Sequence, residues 1–474
     1  MFTKITFFDT NSLQSHKNVS IKKNKLKKVE TLSSKKYNFL GYGSIIHKDD
    51  KYKLIFSSWN IDKSYGHKSK LYLTEDKTGL TFDINNNVEI LKNHGQLCIH
   101  QSIRHDNNLN EYLLVGGVRV LISSKMAGHD KKCKSNMQTT KLGEYTILNN
   151  NYKQEYCRSN GLYIMSSSNL LKWNDMFEKP LQISLRKDLD KSNIIDRKLL
   201  IQKSKSKSLI KKLKGLPRWT SLDLYDTQPS FLYDEKKQKY VLYTRDNIKT
   251  GVRYVEYHES KDLITWDGPH PIKLVTPFNF NKDNIYYFKV TYHSKYNYYS
   301  AFAKYYSPSQ KINGIFLFLS NDGITWKRVS KILNDDDKAH YYTSIFEGSP
   351  VQYKRKLLFY TSYKQKVINI YTLRPDGYSY IYSQKGSFVT NKIKLNSNNI
   401  RINSLSHKGG YVKIELLDTD MKLIPDYSFD MFDVINGNHL EKIVSWNKIQ
   451  EIIYTDFMHI KVMFVNSNIY SLIY

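Results

Sequence analysis

Two carboxylates stand where this chain could do chemistry. Asp226 leads the run Asp226-Thr227-Gln228-Pro229-Ser230-Phe231-Leu232-Tyr233-Asp234, and Glu347 sits in Phe346-Glu347-Gly348-Ser349-Pro350. A positioned acid and base can share one proton-transfer reaction if the fold brings both within reach of the same bond. The plainer alternatives stay open: Asp226 can cap a strand turn through its backbone, and Glu347 can be a solvated loop residue. Arg245 and Arg253 lie on or beside a strand run, where each could hold a ligand carboxylate or pair structurally, Asp246 being the adjacent partner. Tyr42, Trp59 and Tyr287 offer flat aromatic faces, but in a chain with 38 Tyr ordinary packing explains each one as well. No Cys/His spacing fits a zinc site, and no metal or cofactor is expected. Of Cys98, Cys133 and Cys157, the last two flank a polar insertion and could pair, yet three cysteines make no disulfide framework.

The elements that must position these residues show themselves as a repeated phrase. It reads Ser167-Ser168-Asn169-Leu170-Leu171-Lys172-Trp173, then Ser260-Lys261-Asp262-Leu263-Ile264-Thr265-Trp266, then Ser320-Asn321-Asp322-Gly323-Ile324-Thr325-Trp326. Looser copies stand at Thr74 to Phe82 and at Leu373 to Tyr378. Each copy follows an alternating β run. The acidic or amide residue can close a tight turn by bonding its own backbone two residues on, and the aromatic then packs between sheets. Self-similarity of this kind marks a repeat architecture. Five copies predict five blades of a β-propeller over residues 1–385. Polar, basic insertions near 122–157 and 185–220 explain the uneven spacing. From residue 386 to 474 the phrase disappears and short alternating strands remain, which predicts a small β-sandwich. The fold class expected is all-β.

Composition narrows the partners. The chain has 474 residues, 73 Lys+Arg against 44 Asp+Glu, and a formal charge of +29. A basic field of that size attracts phosphate, sulfated or carboxylated glycans, or acidic membrane surfaces, although lysine is abundant everywhere here and solvated lysines need no partner. The densest cluster runs from Lys203 to Lys214, either a short basic helix that touches a polyanion or an exposed insertion. No apolar run is long enough for a membrane span. The N-terminus lacks the features of a signal peptide and reads as a first strand, so a cytoplasmic location is the default expectation.

The phrases then resemble a known group: five-bladed propellers related to glycoside hydrolase families 43 and 32, and nearest to mostly uncharacterised propeller-plus-sandwich relatives. The resemblance is strongest at Ile370-Tyr371-Thr372-Leu373-Arg374-Pro375-Asp376-Gly377-Tyr378, Gly386-Ser387-Phe388-Val389-Thr390, Val412-Lys413-Ile414-Glu415 and Asn468-Ile469-Tyr470-Ser471. It implies a carbohydrate-active propeller whose partner is an oligo- or polysaccharide, acidic glycans suiting the charge and nucleic acid being disfavoured. Hydrolysis of a glycosidic bond needs an acid and a second carboxylate. The resemblance implies Glu347 as general acid and Asp226 as its modulator, about 5 to 9.5 Å apart if they act as a pair. Tyr42, Trp59 and Tyr287 become sugar platforms, and Arg245 and Arg253 sugar-carboxylate ligands. One departure matters: the first blade offers Tyr42-Gly43-Ser44 where these enzymes carry an aspartate base. That opens a second expectation, a glycan-binding or scaffold protein without chemistry, and a polyanion-binding protein is the third.

Overall fold

A computed structural model describes residues 3–474 apart from 38, 59–68, 93–94, 99–100, 123–145, 149–155, 178–227, 249–251, 281, 309, 335–342, 365 and 455. The insertions and the Lys203 to Lys214 cluster fall in these gaps, in whole or in large part. Among the described residues the structure is all-β with short 3-10 turns, and no helix is long and apolar enough to cross a membrane.

Five sheets form the propeller, antiparallel except for the short parallel pairing of Lys273–Leu274 with Thr325–Asn334. Blade I is Gly41–Lys48, Lys51–Ser58, Lys70–Asp76 and Val88–Lys92. Blade II is built on Gln101–Asp106, Glu111–Ile122 and Tyr156–Ser167, and blade III on Ser230–Asp234, Lys239–Ile248, Val252–Ser260 and Trp266–Pro271. Blade IV runs through Asn284–His293, Tyr298–Ser307, Ile312–Ser320 and Thr325–Asn334. In blade V, Ser344–Ile345 and Val351–Tyr353 both pair with Lys356–Tyr363, which pairs in turn with Val367–Leu373. The outermost strand of blade V is Lys27–Leu32, from the other end of the chain. The propeller is therefore closed by its N-terminus.

The repeated phrase does what its residues predict. Ser260 Oγ accepts from Leu263 N at 2.9 Å, and Asp262 Oδ1 accepts from Ile264 N and Thr265 N at 2.9 and 2.7 Å. Ser320 and Asp322 repeat the pattern on Gly323, Ile324 and Thr325. The residue after the acidic or amide one takes a left-handed backbone in the three full copies of this turn: Leu170, Leu263 and Gly323 at φ 69°, 67° and 74°. Trp326 is fully buried and packs edge-on to Phe288 and Tyr243. Tyrosines from a preceding blade latch onto the same turns: Tyr243 Oη donates to Gly323 O at 2.8 Å and Tyr360 Oη to Gly79 O at 2.6 Å. A Cβ on Gly323 would meet Tyr243 Oη at 2.9 Å, so this copy favours glycine for space, while Leu170 and Leu263 take the same φ in theirs.

The division expected at 385/386 is crossed by the chain's N-terminal strands and by Ser379–Thr390. Ser379–Thr390, His459–Ile473, Arg401–Leu417 and Asn438–Ile443 form one sheet with Lys4–Thr6, Leu13–Lys17 and Ser20–Lys23. Hydrogen bonds join all seven strands, so the region read as a C-terminal sandwich takes three strands from the N-terminus. The physical reason is edge protection. Leu13–Lys17 and Ser20–Lys23 both pair with Ser379–Thr390, covering a ladder that would otherwise face solvent. Phe7, Ile414, Phe432, Trp446 and Phe464 share its core. Asp376, in the last phrase, pins the sheet to the propeller by pairing with Lys4 at 3.0 Å and accepting from Ser471 Oγ at 2.8 Å.

Burial inside the blades gives a pH dependence. His258 lies in blade III, with Nε2 3.0 Å from Thr244 Oγ1. Burial, and then the nearby His270, depresses it from 6.5 to about 3. Between those values the unfolded chain binds a proton that the folded chain refuses, so stability falls as pH drops below 6.5. The unfolding midpoint of His258→Gln is expected to fall less steeply than that of the wild type between about pH 6.5 and 4. Parallel curves for the two proteins would rule out His258 as the cause.

Candidate functional site

The innermost strands of all five blades meet at one cluster around Glu347. The chain between Ser344–Ile345 and Val351–Tyr353 carries Glu347 against blade I: its N–H donates to Gly43 O at 2.9 Å, and its carbonyl accepts from Ile45 N at 2.8 Å. Glycine is required on both sides of this contact. A Cβ on Gly43 would stand 2.2 Å from Ile55 O, and one on Gly348 would stand 2.2 Å from Ile45 O. Blade I thus presents a backbone carbonyl where an aspartate base would be expected. Gly43 O accepts a second bond from Gln228 Nε2 of blade III at 3.0 Å.

The carboxylate itself is enclosed, with 0% exposure. Oε1 accepts from Arg104 Nε of blade II at 2.7 Å, from Arg104 Nη2, and from Ser230 Oγ of blade III at 3.2 Å. Lys289 of blade IV stands 3.2 Å from Oε2 and donates to the Pro229 carbonyl at 2.9 Å. Burial lowers the Lys289 ammonium from 10.5 to about 8, against the pull of Glu347 in the other direction. Arg104 also donates to Val290 O at 2.6 Å, while Val290 N donates to Ser230 Oγ at 2.9 Å. Each blade supplies a link to this glutamate.

The other expected site residues divide. Asp226 and Trp59 lie outside the described residues, so the span from Asp226 to Glu347 is not defined. Tyr42 and Tyr287 do meet: Tyr287 Oη donates to Tyr42 Oη at 2.6 Å, the rings are 5.6 Å apart, and both are 3% exposed. They are packed against Phe39 as a small aromatic core and present no open face. Tyr42 sits at φ 21° on the bulge between Gly41 and Gly43, a costly backbone for tyrosine. Arg245 and Arg253 converge on Tyr286, with guanidinium carbons 5.3 and 5.0 Å from its ring centroid. Arg245 is buried and Arg253 half-exposed. The side chain of Asp246, the expected partner of Arg245, is not among those described. Among the described residues no group of three or more His, Cys, Asp or Glu could hold a metal.

Arg104, Lys289, Ser230 and Tyr286 were not anticipated. The signal for the first two was present: a lone cation in Phe288-Lys289-Val290 and in Ser102-Ile103-Arg104, runs that otherwise read as inner strands.

The class of protein is a five-bladed β-propeller closed by its N-terminus and joined to a seven-stranded antiparallel sheet. No family profile and no curated protein matches the chain. Several solved structures resemble it. A glycoside hydrolase shares 12% identity over 75% of this chain and 93% of its own, with a TM-score of 0.45. A glycosyl hydrolase from Bacteroides ovatus shares 12% over 76% and 94%, at 0.41. A family 43 arabinoxylan arabinofuranohydrolase from Bacillus subtilis shares 9% over 92% and 95%, at 0.39. At these scores the likenesses do not bear on activity.

Proposed function

We propose that this propeller binds a glycan and does not hydrolyse it. The observation that carries the reading is the enclosure of Glu347. A general acid must come within about 3 Å of the oxygen that it protonates. Glu347 has no exposed surface, and its oxygens face Arg104, Lys289 and Ser230. The carbonyl of Gly43 in place of a blade I carboxylate supports the same reading. The glycan part rests on the resemblance of the last-blade phrases, and the charge of +29 favours an acidic sugar. Arg253, half-exposed beside Tyr286, is the candidate carboxylate ligand.

The test pairs a glycan array with a panel of nitrophenyl glycosides. Retention of uronate-containing or sulfated glycans with no nitrophenol release is expected. Arg253→Ala should weaken that retention by about tenfold or more, the usual worth of a hydrogen bond to a charged group. Nitrophenol release that disappears in Glu347→Gln, with the fold intact, would restore the hydrolase reading. An empty array would remove the glycan.

A further inference from the structure

The segment 418–458 differs from the rest of the chain in two independent ways. It holds eight acidic residues and three basic ones, a net of −5, in a protein of +29. It also carries seven of the fourteen exposed large hydrophobic side chains found among the described residues, including Leu423, Val434, Ile449 and Phe457, with Ile453 the barest at 81%. These features sit together. Tyr427 and Trp446 pack edge-on at 5.1 Å. Ile453 N donates to Tyr427 Oη at 3.0 Å, Asn447 N donates to Met431 O at 2.8 Å, and Ile449 bridges back to Trp446. Asp418, Asp420 and Asp456 all act on the phenol of Tyr454. A segment that exposes apolar side chains and carries an excess of acidic ones suits a contact with a partner that is itself basic.

The chain carries such a surface. Lys17, Lys22, Lys23, Lys25, Lys27 and Lys28 are all exposed, and no acidic residue lies between the first and the last. This stripe passes from the seven-stranded sheet to Lys27–Leu32, the outer edge of blade V. Lysines along an edge strand discourage backbone pairing with another chain, so a partner would meet them through charge.

We propose that the acidic, apolar face of residues 418–458 docks on the lysine stripe of a second copy of this chain. Repulsion between two strongly basic copies is long-ranged and is cut off beyond about 8 Å at physiological salt, whereas contacts inside an interface survive. The two surfaces are unlike. The contact therefore closes into a dimer where a two-fold axis lets both copies engage at once, and otherwise continues from copy to copy.

Sedimentation equilibrium of the full chain in 0.15 M salt tests this. The expected result is a mass that rises above that of the monomer with concentration. Lys22→Glu/Lys23→Glu/Lys25→Glu should weaken association by about tenfold or more, as should Ile449→Ser/Ile453→Ser, since each removes one half of the contact. Circular dichroism should be unchanged in both, because all five side chains are exposed. Mixing the two variants should restore a 1:1 complex, because one supplies an intact stripe and the other an intact face. A wild-type monomer at every concentration would overturn the proposal, even if it captured a lysine-rich peptide. Association that neither variant weakens, or a mixture that stays monomeric, would do so equally.

Discussion

Glu347→Gln is expected to destabilise the fold by about 3–5 kcal/mol, the usual effect of removing one partner from a buried ion pair. The amide keeps the size of the side chain but leaves Arg104 and Lys289 facing each other across a neutral group. Lys289 is the more exposed to this loss in energetic terms, because its side chain is 1% accessible and burial already disfavours its charge. Adding Lys289→Met should therefore recover part of the deficit, making the double variant more stable than Glu347→Gln alone. In a double-mutant cycle, residues in one network couple by about 0.5–3 kcal/mol. Urea unfolding followed by tryptophan fluorescence measures all four proteins. If Glu347→Gln unfolds at the wild-type urea concentration, Glu347 is not part of an axial clasp. Its carboxylate would then be available for chemistry, and the enzyme reading would return. This one variant thus separates a structural glutamate from a catalytic one.

The blade count was legible because the turn phrase is local. Ser260, Asp262 and Leu263 settle their hydrogen bonds within six residues, so the sequence alone carries the information. What closes the circle was not legible. Lys27–Leu32 pairs with Val367–Leu373 more than three hundred residues away, and nothing in Lys27-Lys28-Val29-Glu30-Thr31-Leu32 says which edge it will meet. The site shows the same contrast. Glu347 was found from its neighbours Gly348, Ser349 and Pro350, but its role depends on Arg104 and Lys289, which arrive from two other blades. Tyr42 and Tyr287 were each expected to offer an aromatic face, and each begins an expected inner strand. Their mutual hydrogen bond and burial could not be read from alternation, which gives a face but not an opening.

Deleting residues 1–32 is expected to prevent folding of the whole chain. The segment supplies the outer strand of blade V and three strands of the seven-stranded sheet. It also supplies Phe7, Leu13, Leu26 and Leu32, each at most 9% exposed. Burying one such side chain contributes about 1.5–3 kcal/mol, so four together approach the whole stability of an ordinary domain, about 5–15 kcal/mol. The loss is worse than the sum, because Val367–Leu373 and Ser379–Thr390 would then show bare edges, which invite pairing with other chains. Removing residues 1–24 instead keeps Lys27–Leu32 in blade V and strips only the sheet. If propeller closure is the dominant requirement, the shorter deletion should leave more soluble protein with near-ultraviolet circular dichroism than the longer one. Equal loss from both would show that the sheet, and not the closing strand, holds the N-terminus in place. A soluble, cooperatively unfolding protein from the longer deletion would mean that blade V stands without its borrowed strand.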